Sequence, residues 1–260
     1  MALYVDTDNA MGSYFGDVDD AFAIAALLLS GAPLEGVSAC AGNTSAEKAQ
    51  RNTLQILEKI DAQRLMLPAG TLPPGNSTLE ILALGPLTSI ANLLETQRSR
   101  IQAVWTVGSN FSSRGRWPPY WPHEFNFTWD KPATEKVLSA GLRLKIIPLN
   151  QARQLRADRS RLNRLRGPLG EYLRQNSKRW VIRNYFLGRS SFAVWDLVAA
   201  MAFLRPALFK FEEKNFSIQP NGFVNYRGGP YRADVLMAYE ADSVWSAFER
   251  LFPDGGATLG

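Results

Sequence analysis

At 260 residues, 46% of them hydrophobic, the chain is long enough to bury roughly three quarters of its unfolded surface without disulfides or other staples. Its one cysteine, Cys40 in the apolar run GVSACAG, excludes an intrachain disulfide, and no apolar run is long enough to span a bilayer. The net charge is +5, and with the first strand starting almost at once and no basic, apolar leader, the expectation is a soluble cytoplasmic protein that does not partner a membrane.

The first element is a short buried strand, ALYV, followed by Asp6, Asp8, Asp17, Asp19 and Asp20 and then by AFAIAALLLSG, a buried helix ending at a glycine. Carboxylates at a helix N-terminus are favourable, but five this close repel, so the junction reads as a cation site or as a solvated acidic loop. Further strand-like runs, LEGVSACAG, LEILALG, IQAVWTVG and LRLKIIPLN, alternate with helix-like stretches at 45–60, 86–98 and 130–140. This alternation predicts an α/β fold, an open and mostly parallel Rossmann-like sheet with helices on both faces.

From about 154 to 204 the pattern predicts helices. The segment RQLRADRSRLNRLRG carries Arg153, Arg156, Arg159, Arg161, Arg164 and Arg166. Such a stripe suits phosphates, yet no nucleic-acid motif accompanies it, and a solvated helix face with Leu155, Leu162 and Leu165 turned inward is the expectation. A small hairpin around QPNGFVNYRGGPYRADVLMAY and a helix near 243–252 close the chain. Without repeats or long linkers, residues 1–260 read as one domain.

In open parallel sheets ligands bind beyond the carboxyl ends of the strands. There the sequence offers Asp6 and Asp8, then AGNTS with Asn43, then LGPLTS, then VGSN and HEFN with Glu124 and Asn126. Asn43 and Asp19 each also suit a helix-capping role. Glu124 and Asn126 taken alone read as surface residues. Asp196 inside the apolar run VWDLVAA is a stronger signal, because a buried carboxylate without a partner is costly.

The motifs DTD…GDVDDAFAI, AGNTSAEKAQRN, ALGPLTSIANLL, EFNFTWDKPATEKVL and WDLVAAMAFLRPALF occur in the order found in inosine-uridine-type nucleoside hydrolases, and over residues 4–209 the chain resembles that family. The resemblance implies a hydrolase that cleaves the N-glycosidic bond of a small riboside and binds one Ca2+ at the strand ends. A homo-oligomer is compatible with it. It implies Asp8, Asp20, Asp196 and the main-chain carbonyl of Leu84 as calcium ligands, with Asp8 also accepting the proton of the attacking water, and Asp6 as a supporting residue. Asp19, Asn43, Glu124 and Asn126 match positions that hold the ribose hydroxyls. Calcium takes six to eight oxygen ligands, so a site without histidine is chemically reasonable.

The chain departs from the family on the base side. NAMGSYF is inserted between Asp8 and Asp17, with Tyr14 and Phe15 as candidates to cover the site. A histidine- and glycine-containing segment after Asn43 is missing, and the histidine that commonly precedes the last aspartate is Trp195 here. The single histidine is His123, and a ribose-contact asparagine of many members falls at Pro118, among Trp117, Tyr120 and Trp121. Trp195 is therefore expected either to stack on an atypical base or to fill the core behind Asp196. Two other classes compete: a non-catalytic relative that keeps the metal and riboside site, and a haloacid-dehalogenase-type phosphatase suggested by YVDTDNAM. The phosphatase lacks support because Ala10 stands where its Thr or Val is usual and DVDD comes too early for its later metal motif.

Overall fold

The computed structural model describes residues 2–13, 16–110, 124–225 and 228–252. The expectations for Tyr14, Phe15, Trp117, Pro118, Tyr120, Trp121 and His123 lie outside the described residues.

Five strands, β1 (Ala2–Thr7), β2 (Leu34–Ala39), β3 (Leu79–Ala83), β4 (Ile101–Val107) and β5 (Arg143–Ile147), run parallel in the spatial order β2-β1-β3-β4-β5. Strands covered on both faces read as continuous apolar runs, and β3, LEILA, is buried throughout. Alternate residues feed two cores. Leu3 and Val5 of β1 and Leu82 of β3 pack with Phe22, Ile24 and Val198, whereas Tyr4 and Ile81 pack with Ile90, Leu93 and Val137 on the other face. The first face carries α1 (Asp19–Leu29), which lies against a later helix, α10 (Trp195–Leu204). Both read as helices apolar all round, because both are buried on nearly every side. Between the first strands run α2 (Ala46–Leu57) and α3 (Thr88–Gln97), and after β4 come α4 (Phe125–Trp129) and α5 (Lys131–Leu138).

The stretch expected to be helical from 154 to 204 is interrupted. After α6 (Leu149–Ala152) the chain makes β6 (Arg156–Asp158), then α7 (Arg159–Arg164), α8 (Gly167–Asn176), α9 (Lys178–Phe186) and β7 (Ser191–Ala193). β6 and β7 pair antiparallel, with Ala157 opposite Phe192. Side chains hold this ribbon: Arg156 Nε donates to Ser191 Oγ at 2.8 Å, and Asp158 caps α7 by accepting from the Arg161 amide at 2.7 Å. Three-residue strands carry too little periodicity to be seen in sequence. The ribbon matters to the site, since the Val194 amide donates to the Leu155 carbonyl at 3.0 Å and sets where α10 begins.

The hairpin expected near the C-terminus is larger than anticipated and belongs to the main sheet. β8 (Phe209–Ile218) pairs antiparallel with β10 (Tyr231–Tyr239) and with β9 (Val224–Asn225), while β10 runs parallel to β5, giving eight strands among the described residues in the order β2-β1-β3-β4-β5-β10-β8-β9. Strand β8, FKFEEKNFSI, is half-exposed and charge-rich, which hid it from a search for buried strands. The last helix is α11 (Ala241–Glu249). As expected, Leu155, Leu162 and Leu165 are buried under the arginine-rich segment. Its charges meet acids of α11: Arg161 pairs with Asp242, and Arg164 with Glu249 at 2.8 Å.

The sheet order places β1 between β2 and β3, so the chain leaves β1 toward one edge and then crosses back to β3 on its other side. Such a switch point opens a crevice at the carboxyl ends of the two strands.

Candidate active site

Beyond that crevice β1 ends in Asp6-Thr7-Asp8, and α1 presents Asp19 and Asp20 in its first turn. The start of α10 brings Asp196 from the far side of the chain. All are withdrawn from solvent: Asp6 and Asp20 are 0% exposed, Asp8 1%, Asp19 3% and Asp196 4%. The solvated-loop reading of these acids is therefore overturned. The ligand atoms of Asp19, Asp20 and Asp196 lie within 4.8 Å of one another, a tighter trio than the Asp8, Asp20 and Asp196 set expected from the sequence.

Hydrogen bonds hold one oxygen of each N-terminal acid. Thr7 Oγ1 donates to Asp20 Oδ1 and Ser38 Oγ to Asp6 Oδ1, while the Tyr4 hydroxyl donates to Ser38 Oγ at 2.6 Å. The Asn43 amide donates to Asp8 Oδ2 at 2.6 Å, and the Asp196 amide to Asp19 Oδ2 at 3.3 Å. The other oxygens, Asp6 Oδ2, Asp8 Oδ1, Asp19 Oδ1 and Asp20 Oδ2, are buried without a hydrogen-bond partner. Burial therefore pushes every one of these groups up, Asp6 to about 6 and Asp20 to about 7. For Asp8, Asp19 and Asp196 the rise is large, first from burial and then from neighbouring carboxylates. Among the described residues no ion pair reaches them. The buried, donorless oxygens of Asp8, Asp19 and Asp20, with Asp196 beside them, are the kind of donor set that a hard cation takes.

Two glycines make room for Asp8. A Cβ on Gly42 would strike the Asp8 carboxylate, and one on Gly85 would come within 2.9 Å of Asp8 Cγ and 3.0 Å of Cys40 Sγ. Sequence reading missed these two residues, although both follow strands, in AGNTS and LGPLTS. It also missed Thr7 and Ser38, which orient the acids; small hydroxyls inside strands carry no periodic signal.

The remaining candidates fall as follows. Leu84 is 2% exposed, and its carbonyl accepts from Asn126 Nδ2 at 3.0 Å. The same amide donates to the Val107 carbonyl at 2.9 Å, so Asn126 ties the ends of β3 and β4 together. Glu124, read alone as a surface residue, is buried; it caps α4, accepting from the Asn126 amide at 3.1 Å and the Phe127 amide at 2.6 Å, and burial pushes it up to about 7. Asn43 is exposed and does not cap α2; Ser45 does, accepting from the Lys48 amide. Asp19 is not a cap either, since Val18 occupies that position with no side-chain bond. Trp195 opens α10 half-buried against the first core, and its Nε1 is buried without a partner.

With this geometry established, comparison places the chain among known proteins. The model of the inosine-uridine preferring nucleoside hydrolase family matches residues 61–246, more than half of the chain, and leaves the acidic opening motif outside the match. The non-specific ribonucleoside hydrolase RihC of Salmonella enteritidis is 26% identical over 92% of this chain and 94% of its own length. A plant nucleoside hydrolase, PpNRh1, superposes with a TM-score of 0.80 at 17% identity, covering 96% of this chain and 98% of that one. A purine-preferring ribonucleoside hydrolase from Gardnerella vaginalis does so with 0.77 at 15% identity and the same coverage. At such identities these structures share the fold. The chain belongs to the inosine-uridine preferring nucleoside hydrolase family, enzymes that hydrolyse N-glycosyl compounds.

Proposed function

We propose that the protein is a calcium-dependent ribonucleoside hydrolase with an atypical base subsite, acting on a small riboside in the cytoplasm. The observation that carries this reading is the set of buried, donorless oxygens on Asp8, Asp19 and Asp20 beside Asp196, at the crevice between β1 and β3. Asp8, Asp20, Asp196 and the Leu84 carbonyl would hold the ion, the last through the lone pair that Asn126 leaves open. The tight trio in the structure supports Asp19 beside this set, at the junction of ion and ribose. A bound divalent cation would supply the positive charge that lets these carboxylates ionise and would raise the acidity of a nearby water.

In this reading the chain's own groups act as follows. Asp8 is fixed through Oδ2 by the Asn43 amide, and its donorless Oδ1 takes the proton of the water that attacks C1′. Asp19, Asn43, Glu124 and Asn126 receive the ribose hydroxyls. Both Asn126 amide hydrogens are engaged with strand carbonyls, so Oδ1 is the atom it offers. As the bond from C1′ to nitrogen breaks, its electron pair leaves with the base, which takes a proton from solvent, because Trp195 offers only a neutral N–H donor. That N–H, buried and without a partner, favours contact with a base over plain core filling.

The test is turnover of a riboside panel by chelator-treated protein, with and without added calcium. Hydrolysis restored by calcium is expected. Full activity after exhaustive chelation would exclude the ion, and riboside binding with no hydrolysis under any cation would favour a binding role.

A further inference from the structure

The chain runs from Glu171 to Asp196 with no acidic residue between them and with Arg174, Lys178, Arg179, Arg183 and Arg189 in that interval. Two cavities flank α9 there. The larger, about 630 Å³, lies between the loop that follows β1, through Gly12, Gly16 and Val18, and the face of α8–α9 that carries Arg179, Trp180 and Arg183. The smaller, about 390 Å³, lies across Ile182 and is lined by Arg159, Arg174 and Lys178. The described residues lining either cavity include no carboxylate.

The larger cavity is sized for a small organic ligand, and it adjoins the acid cluster. Gly16 and Val18 flank Asp17, whose carboxyl interacts with the Arg183 guanidinium and with the charges of Asp8, Asp19 and Asp196. Arg183 lies over the Trp180 ring, 4.8 Å from its centroid, and Trp180 Nε1 is buried without a partner. Stacking leaves the edge of a guanidinium fork available for an oxyanion. Phe186 and Ile182 add apolar wall. Among the described residues the lining of this cavity is cationic, and Asp17, between two of its lining residues, joins it to the cluster of carboxylates.

We propose that this cavity receives an anionic group carried by the riboside, so that the sugar faces the acid cluster while a carboxylate or phosphate faces Arg183 and Arg179. This rests on the ribonucleoside hydrolase reading and adds to it a substrate class, anionic ribosides. The anion has two sources, a carboxylate on the leaving group or a phosphate on the 5′ carbon, and two matched pairs distinguish them: ribosides differing only by carboxylate or carboxamide on an aromatic leaving group, and a nucleoside with its 5′-monophosphate.

Dissociation constants at low ionic strength, measured with Asp8→Asn protein to slow consumption of the riboside and repeated as initial rates on the unaltered protein, give the charged-over-neutral ratio for each pair. We expect the charged member of one pair to bind at least ~10-fold tighter, the scale of a charge-assisted hydrogen bond. Arg183→Gln with Arg179→Gln should remove that ratio and Arg183→Lys should keep part of it, with thermal melts confirming folding. Charged members that bind no tighter than neutral ones, or a ratio that survives the double glutamine variant, would overturn the inference. Hydrolysis of neutral ribosides without any charged preference defeats this inference alone; charged preference without hydrolysis of any riboside defeats the enzymatic reading and leaves the anion site standing.

Discussion

Two charged regions of this molecule obey different rules. Along the seam between α7 and α11, Arg161 meets Asp242 and Arg164 meets Glu249, with Asp242 92% exposed and Arg164 49% exposed. Around the ends of β1 and β3, five carboxylates lie buried with no ion-pair partner among the described residues, and four of their oxygens are orphaned. Water reaches one partner of each pair, Asp242 and Arg164, so screening keeps the contribution of the first arrangement small. The second would not persist in a folded chain for stability's sake, since each unsatisfied buried polar group costs about 1–3 kcal/mol. The unpaired charges, not the paired ones, carry the proposed site.

The sharpest way to break this contrast is to neutralise single acids. Asp8→Asn should lower kcat on the best riboside by ~10²–10⁴-fold, the range of a lost general base. Asp17→Asn, which removes the same formal charge from the inserted loop, should cost far less. Equal losses would mean that Asp8 has no special role.

A second measurement asks whether the cluster destabilises the chain when no cation is present. Burial raises Asp6 to about 6 and Asp20 to about 7, above their ordinary range near 4. A raised carboxyl binds more protons folded than unfolded, so its contribution is complete below about pH 4 and is lost as pH rises through about 7. Chelator-treated protein should therefore lose on the order of a few kcal/mol between pH 4 and 8. Saturating calcium should flatten that slope, which thermal melts across pH will report. A chelated protein that is more stable at pH 8 than at pH 5 would contradict the geometry of the cluster.

Smaller effects sharpen the comparison. Trp195→Ala should lower kcat/KM on aromatic ribosides by an amount worth about 1–3 kcal/mol, the scale of base stacking, with calcium affinity intact and uridine a poor substrate beforehand. Uridine as the best substrate would remove stacking from the account. At the seam, Arg164→Ala should change stability by less than about 1 kcal/mol and leave turnover alone; a large loss of activity there would erase the distinction between the two regions.

The sequence announced the acid cluster better than its surroundings. Parallel strands and all-apolar helices leave an unmistakable pattern, so β1 to β5, α1 and α10 were legible, and Asp196 stood out as the one acid in an apolar run, which the structure places in the first turn of α10. The ribbon of β6 and β7 was not legible, because three residues hold no period and Arg156 and Ser191 meet only in space. Nor was β8, whose alternating charges belong to an outer strand. Around the site, Asn43 looked like a cap, yet Ser45 caps the helix, and Asn43 serves Asp8 through its main chain, which no side-chain pattern reveals. Asn126 was visible as a polar residue in EFN, but its grip on the carbonyls of Leu84 and Val107 depends on strand register.

The two glycines beneath Asp8 set a boundary for anyone wishing to retune this protein. Any side chain at Gly42 would occupy the volume of the Asp8 carboxylate, and one at Gly85 would press on it and on Cys40 together. Libraries randomised at these positions should return almost nothing but the parent, however strong the selection. On α9, by contrast, Arg179, Ile182, Arg183 and Phe186 are exposed, and new specificities should be sought there.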